Sequence, residues 1–470
     1  MNLKRILNKQ TPTLMGEKVN IAGWVHTVRA HGKIIFIDLR DRTGTVQVVF
    51  TPSFPEALEI SKSLHPEWVV EIEGKVNKRP EKMVNLNLET GGIEIEAESI
   101  RVLSEAKTLP FPVETDGTEL NEELRLKYRY LDLRRNRLAN NLKKRFQTLQ
   151  FFRNYLEKEG FVEIETPILT KSTPEGARDF LVPSRFTTGE FYALPQSPQQ
   201  YKQFLMVAGL EKYFQVARCF RDEDARANRQ AEFTQLDIET SFMNQEEIMQ
   251  TIEKLMIETV AHVFPEKKIM KEPFPIITYK EAMEKYGIDK PDIRENKNAR
   301  DQLAFLWVVD FPMFEWSEKD KRWDAIHHPF TRPKEEDPEK IKGDPGIIPA
   351  FQYDLVLNGE EVGGGSLRSY KREILEAVFE VMGHKMDDIR TKFGHLLDSF
   401  EFGVPPHGGL AIGFERFLSI LLNEENIREV MAFPKAGESR DLMMNAPANV
   451  TENQLKELHL KIENDDDDNE

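Results

Sequence analysis

FQVARCFRDEDARANRQAEFTQLDIE, residues 214–239, reads as two strands joined by a charged loop. Period-two alternation puts Ala217, Cys219, Arg221 and Glu223 on one face of the first strand. On the second, Phe233, Gln235, Asp237 and Glu239 share one face, and Leu236 and Ile238 the other. Two strands that turn charged rows to the same side make the floor of a ligand site. Alternation alone describes a hairpin with one wet face equally well. The mixture of residues separates the two readings. An arginine, acids and an aromatic ring on one surface suit a ligand with phosphates, an amine and a flat base.

The totals set the frame. A chain of 470 residues, 40% hydrophobic and 31% charged, suggests two or three domains with ample core. Cys219 is the single cysteine, which excludes disulfides within the chain and a cysteine-rich zinc site and fits a reducing cytosol. No apolar run approaches a membrane span, and MNLKRILNKQ lacks a signal-peptide core, so a cytoplasmic protein without membrane contact is expected. The net charge of −16 is unevenly spread: residues 1–50 carry +5 and residues 125–153 carry +9. Local positive faces on an acidic body are compatible with a polyanion that docks in one orientation. For 125–153 alone, a solvated helix face is the simpler reading.

Outward from the central hairpin, residues 19–50 alternate and break at Gly32 and at Arg42-Thr43-Gly44, and 68–76 and 93–103 add further strand. Five or so short strands in about a hundred residues predict a small closed barrel of the OB type, here 1–104. Residues 105–135, proline-rich and polar at their start, read as a linker. A helix is expected over 137–159, closed by Gly160, and another over 245–263 with Ile248, Ile252, Leu255, Met256 and Val260 on one side. The main body, 136–462, thus has an α+β character, followed by an acidic tail at 463–470 expected to be disordered. No G-x-x-x-x-G-K-[ST] segment occurs, which disfavours a P-loop ATPase.

CFRDED (219–224) with EFTQLDIE (232–239) resembles motif 2 of the class II aminoacyl-tRNA synthetases. GFVEIETPILT (160–170) resembles motif 1, and PPHGGLAIGFERFLSILL (405–422) motif 3. Together with YALPQSPQQYKQFLM (192–206), YDLVLNGEEVGGGSLR (353–368) and FPKAGESRDLM (433–443), these narrow the likeness to aspartyl-tRNA synthetases of the bacterial type. Three departures stand out. Ala231 occupies a position where proline is usual, Gly-Phe-Glu-Arg replaces Gly-Leu-Asp-Arg, and the bacterial insertion domain is reduced to a short loop near 294–306.

The resemblance implies an antiparallel catalytic sheet flanked by helices, a homodimer through Pro167, and ATP-dependent joining of L-aspartate to tRNA-Asp, with tRNA-Asn left open. It implies that Arg221 meets the α-phosphate and Arg416 the γ-phosphate of a bent ATP, with Asp222, Glu223, Gln230, Phe233, Gly413, Phe414 and Glu415 around the nucleotide. Asp354 and Glu361 would carry Mg²⁺. Glu175, Ser197, Gln199, Lys202, Arg221, Asp237, His327 and Arg368 would hold aspartate, with Lys202 and Arg368 as the selecting cations. On that reading asparagine is refused because its amide leaves two buried cations unpaired, worth about 2–5 kcal/mol. A flat strand would put Glu361 and Arg368 on opposite faces, so a kink is expected at Gly363–Gly365. Adjacent His327 and His328 would point apart on a strand.

In the barrel, Phe36 within IIFID reads by itself as core, but the resemblance makes it a platform for an anticodon base, with Arg29 and Gln47 on base edges. His31 resembles enzymes with relaxed tRNA choice and Lys82 the strict ones. Two rivals share parts of this pattern. Asparaginyl-tRNA synthetases have the barrel and motifs, but Lys202 and TPEGARDF (173–180) favour aspartate. A silent tRNA-binding derivative would have lost a motif arginine, and both are present.

Overall fold

The computed structural model describes residues 3–172 and 176–463, in two compact units, Met1–Pro112 and Val113–Glu470. The acidic residues 464–470 lie outside the described residues.

In the first unit, strands β1 (Lys18–His31), β2 (Ile34–Asp41), β3 (Gly44–Phe50), β4 (Val69–Lys78) and β5 (Ile93–Ser104) close a barrel in the order β1-β2-β3-β5-β4. Alternation fills it: Ile35, Ile37 and Leu39 of β2 are buried with Val46, Val48, Ile72 and Ile95, while Phe36, Asp38 and Arg40 point outward. Gly32 takes the positive φ of +62° that the β1–β2 turn requires.

The stretch read as a linker is split between the units. Residues 113–135 belong to the second and form short helices at Glu122–Lys127 and Arg129–Asp132. Asp132 is fully buried and accepts from Arg125 Nε (3.1 Å), Arg129 Nη1 (2.7 Å) and Arg135 Nε (2.7 Å). Arg129 also donates to the carbonyls of Arg428, Met431 and Ala432. Much of the +9 stretch is therefore neither a nucleic-acid face nor a solvated helix face. Arg125, Arg129, Arg135, Arg137 and Arg145 have internal acidic partners, which makes their burial tolerable.

Helix α1 (Asn136–Lys158) ends at Gly160, whose φ of +82° stops it. The sheet that follows takes strands β6 (Val162–Glu163), β7 (Lys212–Phe220), β8 (Glu232–Ser241), β9 (Ile276–Thr278), β10 (Phe305–Val309), β11 (Gln352–Leu357), β12 (Glu360–Leu367) and β13 (His407–Gly413). Their order is β9-β10-β11-β12-β13-β8-β7-β6. The six central strands are antiparallel, as expected, but the short edge strands β6 and β9 pair parallel with β7 and β10. Each parallel pair spans a crossover containing a helix: α2 (Gln199–Val207) for β6–β7, and Tyr279–Tyr286 for β9–β10. Helix α3 (Gln245–Val263) starts at an Asn244–Glu247 capping box and buries Ile248, Ile252, Leu255, Met256 and Val260 against the sheet. Helix α4 (Phe414–Leu422) continues directly from β13. No helix among the described residues is long and apolar enough to cross a membrane.

Candidate active site

In the central hairpin Phe233 lies opposite Cys219, Gln235 opposite Ala217 and Asp237 opposite Gln215, so the two rows share a face. That face floors a cavity of about 380 Å³. Arg221, one residue beyond β7, and Arg416, in the first turn of α4, both line it. The Arg221 guanidinium sits 5.1 Å from the Phe233 ring centroid, and Arg416 Nη1 donates to Glu361 O at 2.5 Å. Each keeps a buried Nε without a hydrogen-bond partner among the described residues. Two cations from distant parts of the chain thus meet at one cavity with donors to spare.

Four residues along β8, about 14 Å at roughly 3.4 Å per residue, a buried charge cluster occupies the same cavity. Lys202 Nζ donates to Asp237 Oδ1 (2.7 Å) and lies 3.2 Å from Glu239 Oε2. Arg368 forks onto Glu239 through Nε (2.9 Å) and Nη2 (3.0 Å), and its Nη1 reaches Ser366 Oγ (2.6 Å) and His328 Nε2 (2.8 Å). The two cations expected to select the substrate are therefore already matched by two acids. Burial would raise Glu239, but Arg368 and Lys202 outweigh it and hold its carboxyl at about 2. Burial wins at Asp237, whose pKa is raised against the pull of Lys202. Asp237 Oδ2 has no hydrogen-bond partner among the described residues, the neighbouring Tyr213 hydroxyl donating to Gln215 instead (2.7 Å).

The histidines differ from expectation. They sit on a bend after Ala325, with ring centroids 4.3 Å apart rather than diverging. His328, not His327, contacts Arg368; Arg368 being a donor, His328 Nε2 accepts and the ring is neutral. Burial, with Arg368 and Lys202 behind it, lowers His327 to about 3.

The kink in β12 is present one step earlier than expected. Leu355 pairs with Gly363 and Val356 with Glu361, so Val362 is the extra residue of a bulge. That extra residue restores a common face for Glu361 and Arg368. A Cβ on Gly364 would lie 3.3 Å from both Asp354 Oδ1 and Glu361 Oε1, so the two carboxylates meet over a residue without a side chain. Burial and the Glu361 charge push Asp354 well above the usual carboxylate range. Two converging acids, one unwilling to ionise alone, fit a divalent cation that takes its remaining ligands from phosphate and water. No cluster of three or more such ligands occurs among the described residues.

Ser197, Gln199, Glu223, Gln230, Gly413 and Glu415 also line the cavity. Gln230 Oε1 accepts from the Lys435 amide (2.9 Å), and Glu415 is braced between Arg145 (2.8 Å) and the Thr234 amide (2.9 Å). Two expected contacts are not there. Asp222 turns away toward Arg178 (3.6 Å), and Phe414 is core, packed on Phe152, because the strand-to-helix turn rotates it under the sheet. Glu175 lies outside the described residues. Sequence reasoning missed Glu239 and His328 as site residues. The alternation that picked out Asp237 pointed equally to Glu239.

On the barrel, Phe36 is half-buried on the outer face and pairs with Arg29 of β1, so it is not core, as IIFID by itself reads. Arg29 is engaged by Asp38 (2.6 Å) and Gln47 by Glu94 (2.8 Å); His31 and Lys82 are exposed.

A barrel followed by a mostly antiparallel sheet with arginines after its motif 2 and motif 3 strands defines a class. Residues 121–437 match the family described as tRNA synthetases class II (D, K and N), and residues 19–103 the OB-fold nucleic acid binding domain. The chain belongs to the class II aminoacyl-tRNA synthetases, and it is a ligase. It is 42% identical to a Lysinibacillus sphaericus protein named aspartate--tRNA ligase, over 97% of this chain and 98% of that one. It is 41% identical to a Syntrophomonas wolfei protein named aspartate--tRNA(Asp/Asn) ligase, over 96% and 97%. The first alignment runs over 580 positions against 470 residues here, so more than a hundred of them face gaps in this chain. Among solved structures, asparaginyl-tRNA synthetase from Pyrococcus horikoshii with asparaginyl-adenylate superposes with a TM-score of 0.73 at 26% identity, over 92% of this chain and 98% of that one. A putative aspartyl-tRNA synthetase from Leishmania major shares the fold, with a TM-score of 0.73 at 22% identity over 92% and 93%.

Proposed function

We propose that the chain activates L-aspartate with ATP and transfers it to the 3′ end of tRNA-Asp. The observation that carries this reading is the convergence of Arg221 and Arg416 on one cavity that also holds the Lys202–Arg368 cluster. The aspartate α-carboxylate attacks the α-phosphorus, pyrophosphate leaves, and the terminal ribose hydroxyl of tRNA then takes the aspartyl group with release of AMP. Catalysis is positioning and charge stabilisation, with no covalent enzyme intermediate. Arg221 offsets charge building on the α-phosphate, Arg416 holds the far end of the triphosphate, and Phe233 offers a ring face to adenine. A Mg²⁺ ion held by Asp354 and Glu361 would neutralise phosphate charge.

Amino-acid choice rests on the remaining donors. Arg368 has five N–H groups, of which four have partners among the described residues, and Lys202 has three, of which two face acids. One N–H from each is left for the substrate side-chain carboxylate, and the lone Asp237 Oδ2 suits an α-ammonium group. Because Asp237 and Glu239 neutralise the cations, asparagine does not leave them unpaired. It fails instead by directing an amide N–H₂ at donors, a loss of about 1.5–3 kcal/mol for charge-assisted bonds. A homodimer is part of this proposal, with exposed Phe146, Val162, Ile168 and Leu169 supplying apolar surface on α1, β6 and the segment after it. Pyrophosphate exchange tests the whole: it should require aspartate, and equal exchange with asparagine would overturn the assignment. Charging tRNA-Asp and tRNA-Asn side by side decides the tRNA range.

A further inference from the structure

Gln196 is almost fully buried, precedes the Ser197–Lys202 segment, and lines both the substrate cavity and a second cavity behind it formed by Tyr192, Tyr201, Phe204 and His395. Its carboxamide is engaged at both ends. Oε1 accepts from the Ala177 amide (2.9 Å), while Nε2 donates to Ala177 O (2.8 Å) and to Asp179 Oδ1 (2.5 Å). The other Asp179 oxygen accepts from Ser172 Oγ (2.6 Å). The side chain thus pairs with Ala177 as a strand neighbour would, in a stretch where Ala177 has no strand partner among the described residues, and Gly176 and Ala177 form part of the cavity wall.

We infer that Gln196 is a positioning residue for the amino-acid half of the reaction. It fastens the Ala177–Asp179 segment to the start of α2, the helix that carries Gln199 and Lys202, and so sets the width of the cavity beside the substrate carboxylates. The inference rests on the aspartate-activation reading above. Glutamine suits the task because its carboxamide offers a donor and an acceptor in one plane, matching a peptide group. Among the described residues Gln230, Phe233, Glu415 and Arg416 make no hydrogen bond to this segment, whose link to the motif 2 loop runs through Asp222, its amide donating to Arg178 O (2.9 Å), so the larger effect falls on the amino-acid side.

The test is pyrophosphate exchange with the full chain carrying Gln196→Met, which removes all three bonds without adding charge. The KM for aspartate should rise on the order of tenfold, as for loss of buried hydrogen bonds, with the KM for ATP within about twofold of the parent. Asp179→Ala cuts the same fastening from its other end and should raise the aspartate KM as well. The double variant should be no worse than Gln196→Met, since residues sharing one bond are non-additive. If Gln196→Met does not fold, Asp179→Ala alone carries the same expectation. An unchanged aspartate KM, an equal rise for ATP, or multiplying effects in the double variant would overturn the inference. Failure of the parent enzyme to exchange with aspartate would overturn the functional reading instead.

Discussion

Glu239→Gln replaces one carboxylate oxygen by an amide in a fully buried site, keeping shape while removing charge. Arg368 would lose half its fork and Lys202 its second acid, leaving two cations against Asp237 alone. The magnitude follows from the titration of the group. Its carboxyl falls from 4.5 to about 2 on folding, and at about 1.4 kcal/mol per pH unit this amounts to about 3 kcal/mol of stability. Because the folded pKa is the lower one, that contribution is complete above 4.5 and is lost as the pH falls toward 2. Gln imitates the protonated acid, so the gap between parent and variant should be about 3 kcal/mol at pH 7 and shrink to less than half of that at pH 3. Urea unfolding at a series of pH values reads this, with Trp307, Trp316 and Trp323 as reporters within the second unit. Carboxylates outside the cluster titrate in both proteins and cancel in the difference, whereas Asp237, which the Glu239 charge helps to raise, titrates lower in the variant. A gap that is absent at pH 7, or that stays constant into acid, would refute the view that Glu239 is the anion anchoring the pocket cations.

Two further variants should separate the units by readout. Arg221→Ala is expected to slow adenylate formation by roughly 10²–10³-fold, the usual effect of losing one preorganised charge-stabilising donor, while tRNA affinity in a filter assay stays unchanged; loss of both would argue against a chemical role. Phe36→Ala should weaken tRNA binding by about 1–3 kcal/mol, the worth of one stacked base, and leave aspartate-dependent pyrophosphate exchange at the parent rate. A drop in exchange would mean that the barrel face serves folding rather than recognition.

How far the chain could be read from its letters depended on the range of the interaction. Alternation along one strand is local, so Phe233, Asp237 and the polar face of the hairpin were legible, as were the barrel strands, the Asn244-capped helix and the stop at Gly160. The arginines of 125–145 misled because a sequence shows charge but not partner. Asp132, Glu415, Glu424 and Glu429 meet them only once the chain has folded.

The sequence by itself determined the class: which residue types stand after the motif 2 and motif 3 strands, and that the chain holds a nucleic-acid barrel and a ligase body. Only tertiary structure decided who touches whom inside the pocket. It gave Arg368 to Glu239 and His328, placed the β12 bulge at Val362, put Phe414 in the core and turned Asp222 outward. The physical reason is that periodicity assigns a residue to a face, whereas the hydrogen bonds of the buried pocket charges join positions 35 to 129 residues apart, which the intervening chain must first bring together.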